Sequence, residues 1–191
     1  MDIFQIIQNY QPYNDQEARD QELILQFMKR NDDAFSRDNL AAHLTVSSYI
    51  VDPKMNYIVF GFHHIYQSWS WIGGHADGDQ DLFCVALKEA KEETNLQSIR
   101  PYSDDIFSLD VIYVPNHIKR NLYVPDHLHL NITYLFIADL DEKPKPNPDE
   151  HQDVKWFLID DVLNIVTEER MKSVYLKAFE RLKKLKEEIK P

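Results

Sequence analysis

The feature that most restricts this chain is a 23-residue segment, GHADGDQDLFCVALKEAKEETNL, at residues 74–96. Its larger part, Asp81–Asn95, is rich in the strong helix formers Ala, Leu, Lys and Glu, and predicts a helix. Within it Glu89, Glu92 and Glu93 stand at i, i+3 and i+4, so three carboxylates share one helical face. Like charges at that spacing destabilise a helix unless something neutralises them. A hard divalent cation does so, and all-oxygen ligation suits Mg2+ or Mn2+. Taken alone, EAKEE reads as a solvated acidic face. The glycine-rich turn just upstream reverses that reading, because it brings backbone oxygens and amides to the same place. The other helix face, with Leu82, Cys84, Val85, Leu87 and Ala90, is apolar enough to pack on a sheet, and Cys84 reads as a small core residue.

Around this segment the periodicity alternates between helix and strand. Ile3, Ile6, Ile7 and Tyr10 fall at helical spacing until Pro12. Asn14 with Glu17 resembles a capping box, opening a helix to about Arg30 with Ile24, Phe27 and Met28 as its buried stripe. Strands are expected over His43–Asp52, Tyr57–His63 and Trp69–Ile72, with Gly73-Gly74 breaking the pattern, then over Ile106–Val114, His127–Asp139 and Val154–Leu158. PNHIKRNLYVPD is a loop or hairpin. The tail puts Met171, Val174, Tyr175, Ala178, Leu182, Leu185 and Ile189 on one helical stripe. This order predicts an α/β (α+β) fold with a mixed sheet: an N-terminal helical extension over residues 1–40, then one globular unit over residues 41–191 ending in a C-terminal helix.

Composition narrows the function classes. The formal net charge of -11 disfavours nucleic acid and anionic membrane as partners. No run approaches the roughly 20 apolar residues that span a bilayer, and the N-terminus has neither the basic nor the apolar region of a signal peptide. The single cysteine excludes an internal disulfide framework and suits a reducing cytoplasm.

Residues 74–96 resemble the Nudix box, which runs glycine, five residues, glutamate, seven residues, then Arg-Glu-aliphatic-any-Glu-Glu-any-Gly-aliphatic. Gly74 takes the opening glycine; Glu89, Ala90, Glu92, Glu93 and Leu96 stand in register. Three positions depart from it. Asn95 replaces the last glycine, and asparagine is the next best residue for a left-handed helix cap. Lys88 replaces arginine, keeping charge but losing the bidentate fork. Gln80 replaces the first glutamate, a loss that Asp77, Asp79 or Asp81 could offset.

The resemblance implies an α/β/α Nudix sandwich and a hydrolase that cuts a pyrophosphate bond in a nucleoside diphosphate linked to another moiety. Water attacks phosphorus with Mg2+ or Mn2+ as cofactor. Glu89 and Glu93, then Glu92, are the implied metal ligands, with a carbonyl of Gly73 or Gly74. Glu150 is the implied further ligand or general base, with Asp153 second. One rival is a catalytically silent Nudix module that binds a nucleotide-like ligand or a protein; the other is an isomerase of prenyl diphosphates, for which Cys84 lies on the wrong helix face.

Further residues complete the expectation. His127, His129 and Asn131 alternate along one strand face, leading from a wet cleft towards Thr133 and Leu135. His127 and His129, with His75, Lys119 and Arg120, are the candidate substrate-binding residues, although hydrogen-bonded histidines at a sheet end are the plainer reading. A His-x-His metal pair lacks a third nitrogen or sulfur ligand at matching spacing. Trp69 and Trp71 read as buried aromatics of the sandwich. The N-terminal extension either completes the substrate pocket or forms a homodimer contact.

Overall fold

The computed structural model describes residues 2–119 and 121–189, the last by its backbone alone. The elements run α1 (Ile3–Asn9), α2 (Asp15–Arg30), β1 (Ala42–Val51), β2 (Tyr57–His63), β3 (Ser68–Ser70), β4 (Ile72–His75), α3 (Leu82–Thr94), β5 (Arg100–Pro101), β6 (Ser108–Val114), β7 (His117–Lys119), β8 (Leu122–Val124), β9 (His127–Ile137), β10 (His151–Leu158), α4 (Val162–Ile165) and α5 (Glu169–Ile189). This is the mixed α+β fold with a mixed sheet that the pattern predicts. Two compact units divide it: Met1–Ser47, Gly73–Leu87 and Asp104–Tyr134 in one, and Ser48–Ile72, Lys88–Ser103 and Leu135–Pro191 in the other.

In the first unit β9 lies between β1 and β6. β6 pairs antiparallel, from Ser108↔Thr133 to Val114↔His127. β1 runs parallel to β9: the Leu128 amide donates to Ala41 O at 3.0 Å, and Thr45 and Ser47 meet Asn131 and Thr133 two residues apart in both strands. The hairpin β7–β8 occupies the stretch read as loop or hairpin. Asn14 caps α2 by accepting from the Glu17 amide at 2.9 Å, as its spacing predicts. The Glu17 carboxylate, fully buried, is taken instead by Tyr10 Oη at 2.6 Å and the Tyr13 amide at 2.8 Å. Asp20 of α2 accepts the Val111 amide at 2.9 Å, so a helix side chain occupies a backbone donor that β6 would otherwise present as an edge.

The second unit carries the strand order β10-β2-β1-β9-β5, with β3 on β2. β10 pairs antiparallel with β2 from His151↔His63 to Leu158↔Tyr57, with a bulge between His151 and Asp153. The tail stripe forms as expected: Met171, Tyr175, Ala178 and Leu182 are buried, and Tyr175 packs edge-on to Phe60 and Trp71. Burying a large apolar side chain of this kind contributes about 1.5–3 kcal/mol. The side chain of Ile189 lies outside the described residues. Among the described residues no helix is long and apolar enough to cross a membrane.

Three expectations are corrected. Gly73 and Gly74 do not break a strand; they are part of β4. A Cβ on Gly73 would stand 2.2 Å from Val46 O, so glycine serves there for close approach of two strands. Cys84 is exposed, not core. At 100° per residue Leu82, Ala86 and Ala90 point inward with Val85, and position 84 falls 200° from Leu82. Trp69 and Trp71 are half-buried, while Ser68 and Ser70 are the buried residues of β3. Trp69 packs over Phe62 and Phe157.

Candidate functional site

The acidic face forms on α3 in the second unit. Glu92 is exposed, with Lys88 Nζ at 3.9 Å; Glu89 is half-buried and Glu93 buried. Burial pushes the Glu89 carboxyl up to about 7, and the neighbouring charges of Glu93, Glu92 and, more weakly, Glu150 add to it against a small opposing effect of Lys88. Glu150, half-buried ahead of β10, is thus electrostatically within reach of Glu89. Asp153 is engaged elsewhere, paired with Lys155. Burial and repulsion on a carboxylate are both relieved by a cation, so this donor set suits a hard divalent ion.

Glu93 has a partner that the sequence reading missed. His151 Nε2 lies 2.8 Å from Glu93 Oε2, with both side chains buried. The imidazole is seated on Gly61: a Cβ there would come within 2.6 Å of the ring. Asn147 N donates to Glu93 O at 3.3 Å, tying the same stretch to the helix end. The Nδ1 of His151 is buried without a partner. Asn95 then closes α3 with φ 54, the left-handed cap its residue type predicts.

The loop before α3, in the first unit, commits all three of its aspartates. Asp77 takes the Nε–H of Arg37 at 2.6 Å and a second guanidinium contact, which holds its carboxyl below the usual range. Asp79 accepts from the Asp81 amide at 2.9 Å, and Asp81 caps α3 by accepting from the Cys84 amide at 3.0 Å. The acids expected to offset Gln80 therefore build the loop. A hydrogen bond to Asp81 is also the largest cause raising the Cys84 thiol, and this disfavours a nucleophilic thiolate.

The same unit gathers four histidines. His43 from β1, His75 from β4 and His129 from β9 form a triangle with ring centroids 5.0–5.1 Å apart. His127 stacks on His43 at 5.1 Å and meets His129 through Nε2 atoms 3.1 Å apart. His75, His43 and His129 each offer a ring nitrogen within 4.8 Å of the others. His129 thus meets two ring nitrogens, those of His43 and His75, from other strands, while His127 is not one of the three. Burial, ahead of nearby Arg37, drives His75 down to about 3; burial likewise lowers His43 and takes His129 well below the usual value. All three are neutral at physiological pH.

Behind the imidazoles the two parallel strands continue as a polar ladder. Thr45 Oγ1 donates to Asn131 Oδ1 at 3.1 Å, Asn131 Nδ2 to Ser47 Oγ at 2.8 Å, and Ser47 lies 2.8 Å from Thr133. All four side chains are buried, and all four are paired, as buried polar groups must be.

Of the residues singled out from the sequence, the fold brings Glu89, Glu92, Glu93 and Glu150 together, and His75, His127 and His129 together. Lys119 lies near enough to lower His75 by its charge. Gly74 stands in β4 directly before His75. Arg120 lies outside the described residues. His43 and His151 were missed. His43 had a signal, since His43-x-Thr45-x-Ser47 mirrors His129-x-Asn131-x-Thr133; His151 had only its place after Glu150.

A family model described as the NUDIX domain matches residues 42–180. A Nudix-family hydrolase from Clostridium perfringens superposes with a TM-score of 0.52 at 19% identity, covering 75% of this chain and 97% of that one. An Ap4A hydrolase of C. elegans, solved as a binary complex, gives 0.50 at 17% identity, covering 72% and 93%. At such identities the likeness is one of fold. No curated protein matches the chain at significance.

Proposed function

Because the chain belongs to the Nudix family of hydrolases, we propose that it is a pyrophosphohydrolase dependent on Mg2+ or Mn2+, acting on a nucleoside diphosphate joined to a further group. The observation that carries this reading is the carboxylate face of α3, where Glu89 is pushed up to about 7 among Glu93, Glu92 and Glu150. Glu89, Glu92 and Glu93 are the residues proposed to hold the cation. When bound, such an ion offsets the charge of the phosphate oxygens and favours in-line displacement. His151 fixes the rotamer of Glu93 through its 2.8 Å contact. Glu150 accepts the proton of the attacking water as its oxygen bonds to phosphorus and the bridging oxygen leaves.

On the substrate side we assign Lys119 and Arg120 to the phosphate charge. His75, His127 and His129 are neutral hydrogen-bonding or lone-pair groups. Residues 41–191 are proposed as the catalytic unit, and residues 1–40 as an extension that completes the pocket or forms a homodimer contact. A cytoplasmic location fits the lone cysteine.

The test is hydrolysis of a panel of nucleoside diphosphate derivatives, dinucleoside polyphosphates included, with Mg2+ and with Mn2+, run beside Glu89→Gln. Turnover abolished by the substitution establishes the reading and names the substrate class. No turnover from folded protein with either ion transfers the assignment to the silent binding module, a reading favoured by the commitment of Asp77, Asp79 and Asp81 to the loop.

A further inference from the structure

Three strands that are distant in sequence bring three imidazoles to one point, and their ring nitrogens are prepared as ligands. His43 Nδ1 lies 3.1 Å from Asn39 O. A carbonyl only accepts, so Nδ1 carries the proton and Nε2 keeps its lone pair. That Nε2 is buried and has no partner. His127 Nδ1 is committed to Pro125 O at 2.8 Å in the same way, leaving its own Nε2 to accept from His129 Nε2 at 3.1 Å. A backbone carbonyl on the far nitrogen of an imidazole, and an outer partner that orients a neighbouring ring, are the usual supports of metal-ligating histidines.

We propose that His43, His75 and His129 bind one borderline transition-metal ion of the Zn2+ class, with His127 orienting His129 from outside the triad. This site shares no ligand with the carboxylates proposed to hold Mg2+ on α3. Neutral imidazoles suit Zn2+, Co2+, Ni2+ or Cu2+ and not Mg2+. Three atoms within 4.8 Å of one another lie at most about 2.8 Å from a common centre, against about 2.0–2.1 Å for a Zn–N bond. An inward movement of each ring by under about 1 Å therefore closes the site. Three protein ligands leave a fourth position open, the arrangement of reactive zinc sites. Stacking alone accounts for the rings' proximity but not for the buried, unpartnered lone pair of His43.

The experiment uses full-length protein freed of metal by chelation, titrated with Co2+ and then Zn2+ in excess Mg2+. Expected are one equivalent bound, a Co2+ d–d spectrum of nitrogen ligation that Zn2+ bleaches, and at least about 100-fold weaker binding in His43→Asn and in His75→Gln. Glu89→Gln should bind Co2+ as the unaltered protein does, which separates this site from the acidic helix. Each variant is first shown to be folded by circular dichroism. The imidazole 15N resonances of the unaltered protein, which must shift on Zn2+ addition, provide a readout that needs no variant. Absence of stoichiometric binding, unshifted imidazole resonances, or binding lost in Glu89→Gln but kept in both histidine variants overturns the proposal.

Discussion

The carboxylate face of α3 and the imidazole cluster of β1, β4 and β9 are subject to the same physical agent with opposite chemical results. Burial disfavours charge in both. For Glu89 it raises the pKa to about 7 and makes the group a poorer ligand until a cation offsets the cost. For His75 it lowers the pKa to about 3, which leaves the lone pair available at every physiological pH. A buried acid must be recruited by its metal, while a buried imidazole is ready beforehand. The two also differ in support: Glu93 meets the His151 ring seated on Gly61, whereas His43 and His129 stand at the end of a paired polar ladder.

The largest effect expected is on turnover. Glu89→Gln or Glu150→Gln should reduce kcat by about 10²–10⁴-fold, as measured by phosphate release. An unchanged kcat in both would remove the acidic helix from the chemistry. Next is Gly73→Ala, whose Cβ meets the Val46 carbonyl at 2.2 Å, with no flexible side chain to yield. A loss of about 3 kcal/mol or more in denaturant unfolding is expected. Gly61→Ala acts on the other region by displacing the His151 ring from Glu93; it should cost about 1–3 kcal/mol and reduce turnover together with stability.

The comparison is sharpest in pH. His75 titrates near 6.5 unfolded and about 3 folded, so below 6.5 the unfolded chain binds more protons and stability falls as pH drops from about 6.5 towards 3. Glu89 has the reverse sign. With 4.5 as its ordinary value and about 7 folded, the native state binds the extra proton, and stability falls as pH rises from about 4.5 to 7. His75→Gln should flatten the acid limb, by on the order of 3 kcal/mol between the plateaus. Glu89→Gln should flatten the neutral limb, by on the order of 1 kcal/mol after solvent screening. Urea titrations across pH in chelator measure both, and equal slopes in all three proteins would deny the contrast. Because ligation requires the ionised carboxylate, Mg2+ affinity should rise with pH through about 7. Smallest is Arg37→Ala, which frees a partly exposed Asp77 and should cost under about 1 kcal/mol.

Much of this was legible in residue order. The helix carrying the three glutamates, its asparagine cap, the Asn14 cap of α2 and the alternation of β9 depend on neighbours a few positions apart, so local propensity and periodicity specify them. The misread pieces were decided at longer range. Gly73-Gly74 looked like a breaker because glycine usually marks a turn, but the Val46 carbonyl against which it packs is a partner 27 residues away. Cys84 was misplaced by treating two apolar neighbours as one face, when the burial of Leu82, Val85 and Ala86 already sets the angle.

By itself, then, the sequence determined that a helix would present Glu89, Glu92 and Glu93 together, and that His127 and His129 would share a strand face, since both follow from the repeat of a single element. Only the tertiary structure decided that His151 stands on Glu93, and that His43 and His75 join His129. Those meetings depend on which strands pair and in what register, and strand pairing is a choice among distant segments that no local spacing encodes.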